Sequence, residues 1–269
     1  MSAVESEARL ARADTVLSLE RGLSVITAFA ATRRTMTISE LAKETGLSKP
    51  SARRFLLTLQ KIGYIRATER GFRLTPKVLE LGHAYLSAAE LPEMVEPVLD
   101  RLNEDLREAC SVGILEGDLV FYIARSVTRR LMTISVRVGS PIDPGSTALG
   151  RILLAHAGDA TVEGYLARHP LQAHTPFTVT DVAEFHRLLA QARSQGWTLS
   201  DQETEVGVRT IAVPIRGPQG SVIAGANVAA HASRITKRQL VREFLPRLQG
   251  AAAEMEGVIS RFGHPSDLV

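Results

Sequence analysis

Between Ile38 and Leu57 the chain reads ISELAKETGLSKPSARRFLL, and few folds accept that run. Thr37-Ile38-Ser39-Glu40 is a capping box, in which the Thr37 hydroxyl accepts from the third backbone N–H and Glu40 reaches back, so a helix starts there. Ala42 is small where two crossing helices approach closely. Gly46 sits four residues later, where the turn needs a positive φ. Ser48 caps the next helix, with Pro50 in its first turn, where a missing N–H costs little. Leu41, Leu47, Ala52 and Phe55 bury the joint. A plain αα-corner could be built from the same residues. The outward face of the following helix favours nucleic acid instead: Lys49, Ser51, Arg53, Arg54 and Thr58 are types that reach phosphates and base edges.

The flanking segments agree. Leu23, Ile26, Thr27 and Ala30 have helical spacing, which predicts a helix over about 20–31. Gly63 stops the third helix. Tyr64-Ile65-Arg66-Ala67, a turn at Glu69-Arg70-Gly71, and Phe72-Arg73-Leu74 then read as a two-stranded wing. Residues 21–77 hold twelve Lys/Arg against three acids, a net +9, which leaves −6 on the rest of a chain of net +3. A basic module on a mildly acidic body points to a polyanion partner, double-stranded operator DNA, for the module alone. The start of a recognition helix meets base edges, so Lys49, Ser51 and Arg53 are the base-reading candidates. Arg33, Arg34, Thr37 and Ser39 flank the second helix as phosphate contacts, with Arg54 and Thr58 further along the third. Arg66, Arg70 and Arg73 belong to the wing.

The 269 residues suffice for two domains. Residues 1–18 read as a flexible arm, 19–76 as the winged helix-turn-helix (38–57 at its centre), 77–91 as a linker helix and 92–269 as a second domain. Val78, Leu81, Tyr85 and Ala89 recur on one side of the linker helix with no wing residue left to cover them, so this side is the expected dimer contact. Beyond Pro92, a helix at 93–109 precedes strand-like runs at 111–115, 119–126 and 132–138. A loop at 139–145 leads to helices at 147–156, 159–168 and 181–195. Strands at 197–201, 210–216 and 221–230 precede a closing helix over 236–262. Hairpins with helices gathered around them imply an antiparallel α+β domain.

RGLSVITAFA, the helix-turn-helix, LTPKVLELGHAYLSA, STALGRILLA, VGVRTIAVPI and ANVAAHASRIT occur in that order, and together they resemble the IclR family of bacterial transcriptional regulators. The resemblance spans about residues 19–262. LGHAYLSA, YIARS, GWTLSDQE and FLPRL are similar to its protocatechuate/β-ketoadipate subgroup. It implies a winged helix, a linker helix, a GAF-like effector domain, and homodimers that pair into dimers of dimers on DNA. It also implies control of aromatic-acid catabolism, with a small aromatic or dicarboxylic acid as effector. Carried over residue by residue, the pocket falls at Ser146, Thr147, Ala148 and Leu149 in STALGR, at Asp201 or its neighbours, and at Thr210, Asn227 and Ala229. Independently of the resemblance, Gly145-Ser146-Thr147 precedes a helix, whose free N–H groups attract a carboxylate. Self-capping by Thr147 is the competing reading of those three residues.

An enzyme is not expected. G-x-S-x-G, Walker and G-x-G-x-x-G signatures are absent. The single cysteine, Cys110, sits in an apolar strand-like run as an inert core thiol. Asp201, Glu203 and Glu205 read as solvated strand ends rather than acid/base groups, and His83 as a packing or interface residue. No metal or cofactor is expected. The first twenty residues carry no secretory signal and no apolar run spans a bilayer, so a cytoplasmic, membrane-free protein is expected. The rival functions are a regulator of the same family that answers to another small carboxylic acid, and a small-molecule enzyme carrying an auxiliary helix-turn-helix.

Overall fold

A computed structural model describes residues 15–31, 35–82, 90–127 and 138–262, in two compact units, 1–84 and 85–269. Arg33, Arg34, His83, Tyr85, Ala89 and all but Val138 of the predicted strand at 132–138 lie outside the described residues.

In the first unit, α1 (Leu17–Ala31), α2 (Ile38–Thr45) and α3 (Lys49–Lys61) precede a hairpin of β1 (Ile65–Thr68) and β2 (Gly71–Leu74). The capping box is formed: the Thr37 N–H donates to Glu40 Oε2 at 2.7 Å, and the Glu40 N–H donates back to Thr37 Oγ1. Gly46 ends α2 at φ 66°, the left-handed region that a side chain resists. Ser48 Oγ accepts the Ser51 N–H at the start of α3. Val25, Phe29, Met36, Leu41, Ala52, Leu56 and Ile65 close one small core. After the wing the chain makes a 3-10 turn at Pro76–Val78 instead of opening directly into an α-helix, with Thr75 Oγ1 capping the Lys77 N–H.

The second unit is a six-stranded antiparallel sheet in the order β5-β4-β3-β8-β7-β6. Its strands are β3 (Ala109–Glu116), β4 (Leu119–Ser126), β5 (Pro141–Ile142), β6 (Thr198–Asp201), β7 (Val208–Arg216) and β8 (Val222–His231). One face packs on α4 (Glu90–Leu106) and on the C-terminal helix through Val95, Leu99, Val112, Ile211, Val228, Leu248 and Met255. The other packs on α5 (Ala148–Leu154), α6 (Asp159–Arg168) and α7 (Val182–Gln195) through Leu149, Ile152, Tyr165 and Phe185.

Prolines cause two departures from the predicted elements. Pro92 and Pro97 lie within α4, where burial of Val95, Val98 and Leu99 outweighs the lost N–H at Pro97. The closing helix is not one α-helix. It runs as α8 (Lys237–Gln239), a π turn (Leu240–Phe244) and α9 (Leu245–Phe262), the Leu245 N–H reaching back five residues to the Leu240 carbonyl. Pro246 follows at once, and a ring there would strike the carbonyl four residues back in a plain α-helix; the wider turn relieves that clash.

Candidate functional site

The basic module presents free cations. Lys49, Arg53, Arg54, Arg66 and Arg70 are exposed, Arg73 is half-buried, and every salt bridge among the described residues lies in the second unit. Arg66 and Arg73 face each other as cross-strand partners in the wing. Like charges opposed in this way destabilise a hairpin, and an anion between them removes the penalty. On α3 each residue turns about 100°. Ser51 and Arg53 therefore lie on opposite flanks of the outward face, with Pro50, Arg54 and Leu57 between them. Ser51 is half-buried, and Thr58 Oγ1 donates to the Arg54 carbonyl, so Arg53 and Lys49 keep more freedom to reach a base. Thr37 has both its N–H and its hydroxyl engaged by Glu40, while Ser39 is exposed.

A groove of about 700 Å³ in the first unit is lined by Leu19, Leu23, Ile26, Phe55, Ile62 and Leu81, together with the Ser51, Arg54 and Thr58 edge of α3. Leu19, Leu23, Ile62, Leu79 and Leu81 are all exposed, whereas Val78 is half-buried. The apolar surface is broader than the linker-helix stripe in the sequence: it takes in α1, where Leu23 and Ile26 of the apolar spacing line the groove and Val25, Ala28 and Phe29 are the buried side.

On the α5 side of the sheet, strand register assembles a polar row. Thr198, Ala212, Asn227, Ser111 and Arg125 are successive cross-strand partners, and Ser200, Thr210, Ala229 and Ala109 form the next row. Partners share a face, so Thr210, Asn227 and Ala229 come together as the resemblance implies. Asp201 does not join them. It alternates to the opposite face, where Arg209 and Lys237 hold its carboxyl below the usual aspartate range against the effect of burial. Its neighbour Ser200 takes the position, with its hydroxyl on the Ser146 carbonyl at 2.9 Å.

Ala148 and Leu149 are fully buried, and Thr147 Oγ1 accepts the Gly150 N–H at 3.0 Å. The α5 start is thus self-capped, the competing reading of that sequence. Leu149 drives into the sheet. Gly113 and Gly225 oppose each other in register, and a Cβ on either would come within 2.9 or 2.8 Å of its two methyls.

Three groups escape the sequence. Arg151, 1% exposed, forms a two-armed ion pair with Glu203, Nη1 to Oε1 at 2.7 Å, and its Nε donates to the Gly145 carbonyl. Glu203 is thereby a buried pair member, a correction to the solvated strand end read from alternation. Thr175 and Thr178 donate to the Gln202 and Glu203 carbonyls, so the loop before α7 and the 202–204 turn are lashed to one cluster. Tyr122 and Arg125 are the second group. A β-bulge after Val112 places Gly113 opposite Tyr122 while Ser111 stays opposite Arg125, so residues three apart share a face. Burial raises the Tyr122 hydroxyl, with the charge of Arg125 and a donor from Asn227 opposing it. The third is Asn227 Oδ1, buried without a hydrogen-bond partner. Strict alternation cannot show a bulge, although three consecutive buried residues, 122–124, are its mark. Cys110 is buried and its thiol is pushed up to about 12, chiefly by that burial, as an inert thiol would be.

Known proteins match at both ends of this architecture. Residues 18–69 match the IclR helix-turn-helix domain, and residues 83–256 match the bacterial transcriptional regulator IclR C-terminal domain. The Pca regulon regulatory protein of Pseudomonas putida is 42% identical over 90% of this chain and 84% of its own length. The p-hydroxybenzoate hydroxylase transcriptional activator of Acinetobacter baylyi is 30% identical over 91% of this chain and 93% of its own. The crystal structure of an IclR homologue from Microbacterium hydrocarbonoxydans complexed with 4-hydroxybenzoate superposes with a TM-score of 0.75 at 27% identity, covering 91% of this chain and 99% of that one.

Proposed function

The chain belongs to the IclR family of bacterial transcriptional regulators, and on that premise we propose that it switches operator occupancy in response to a small aromatic or dicarboxylic acid and so controls aromatic-acid catabolism. The observation that carries the ligand half of this reading is the polar row Asn227–Ser111–Arg125 on the α5 face of the sheet. Relatives named for the Pca regulon and for p-hydroxybenzoate hydroxylase, and a structural neighbour holding 4-hydroxybenzoate, support the same class of acid.

On this reading Lys49 and Arg53 read bases, and Ser39, Arg54, Arg66, Arg70 and Arg73 hold phosphates. Ser146, Thr147, Thr210, Asn227 and Ala229, with Ser200 in place of Asp201, border the effector space over the buried Ala148 and Leu149. Val78 and Leu81, with the exposed leucines of α1, form the contact between two copies, which two operator half-sites require. Among the described residues no helix is long and apolar enough to cross a membrane. A cytoplasmic homodimer that turns over no substrate fits the family.

Operator fragments enriched from genomic DNA on the immobilised protein supply the test. In a mobility-shift titration, 4-hydroxybenzoate, protocatechuate or β-ketoadipate should change operator affinity at least about tenfold, a coupling typical of effectors. The acid should be recovered unchanged. No response to any of the three removes the effector class; consumption of the acid would point to the rival enzyme reading.

A further inference from the structure

Resting on the reading that the second unit binds a small acid, we infer that Arg125 is the residue that takes its carboxylate, with Tyr122 as the platform beneath and Asn227 as the acceptor for a ligand hydroxyl. Of the fourteen described arginines in the second unit, nine spend their guanidinium on a carboxylate or a carbonyl, and four others are exposed. Arg125 alone is half-buried with neither kind of partner among the described residues. Its guanidinium carbon lies 5.7 Å from the Tyr122 ring centre, a cation–π contact that orients the fork and leaves its donors free. A guanidinium withdrawn from water without hydrogen-bond acceptors is unfavourable, and a bidentate carboxylate is the ligand that fits its planar fork.

Two further observations concern the same face of the sheet. Arg125 is there because of the bulge, which turns it onto the face of Ser111 and Asn227. Asn227 is 3% exposed, and its Oδ1 has no donor opposite it. An acceptor buried without a partner costs free energy until a donor arrives, and a hydroxyl on the ligand supplies one. The ligand that satisfies both groups at once is a hydroxylated carboxylic acid, its carboxylate on Arg125 and its hydroxyl toward Asn227. The α5 start offers the carboxylate less, since Thr147 already takes the Gly150 N–H.

Calorimetry at pH 7 on the full chain tests this with 4-hydroxybenzoate and its neutral counterpart 4-hydroxybenzamide. The wild type should favour the acid. Arg125→Gln should weaken the acid about 10- to 100-fold, the worth of hydrogen bonds to a charged group, and weaken the amide far less. If Arg125→Gln folds poorly, Arg125→Lys decides: several-fold weaker acid binding with a smaller loss for the amide supports the assignment, and wild-type behaviour overturns it. Arg125→Gln that keeps the full preference for the acid overturns Arg125's role while the effector reading stands. A wild type that binds neither 4-hydroxybenzoate, protocatechuate nor β-ketoadipate overturns the effector reading and this inference together.

Discussion

Arg151 and Glu203 are two ions taken almost completely out of water, and each is tolerated only because the other is there. Arg151→Met should cost about 3–5 kcal/mol, because it strands the buried Glu203 carboxylate with only the Val179 N–H donating to it. Pairing it with Glu203→Leu should return much of that loss, since an apolar pair of similar volume removes the desolvation cost from both sides. Denaturant unfolding of the two single variants and the double variant checks this: a double variant as unstable as the sum of the singles would show that the pair is not coupled. The same pair explains a misreading. In the sequence Glu203 sits among Gln202, Thr204 and Glu205, a run that looks solvated, and only the fold brings Arg151 from 52 residues away. Asp201 fails for a related reason: its side of the strand is set by register with Arg209, which composition does not encode.

At the scale of elements, what is local was legible and what is long-range was not. The capping box, the Gly46 turn and the Ser48 cap depend on residues within four of one another and the wing on neighbouring strands of one hairpin, and each stands where its sequence signature lies. The Leu149 seat between Gly113 and Gly225 depends on partners far away in the chain. Two outcomes follow. Arg73→Ala should leave the free protein as stable or slightly more stable, because it removes the charge facing Arg66, yet weaken DNA binding and lower the log–log salt slope by about 1. Melting curves and salt-dependent binding would expose the opposite pattern. Gly225→Ala should destabilise by about 1–3 kcal/mol through overpacking, since its methyl would meet Leu149 Cδ1 at 2.8 Å. Leu149→Ala in the same chain should recover part of that loss, and a double variant no better than Gly225→Ala would mean the contact is not the cause.

For the whole molecule, exposed leucines on α1 and at Leu79 and Leu81 predict self-association through the first unit. Leu81→Glu should lower the mass seen by light scattering, or weaken binding to a two-half-site operator far more than to a single half-site. A wild type that scatters as a monomer at micromolar concentration would remove the basis for both. The distribution of ion pairs has a different consequence. Because the salt bridges among the described residues all belong to the second unit while the first carries unopposed cations, added salt acts on the two in opposite senses. Screening relieves repulsion in the first and weakens exposed attraction in the second. Heated in rising salt, the basic unit should melt later and the other no later than before, so the order in which the protein comes apart is set by the ionic strength of its surroundings.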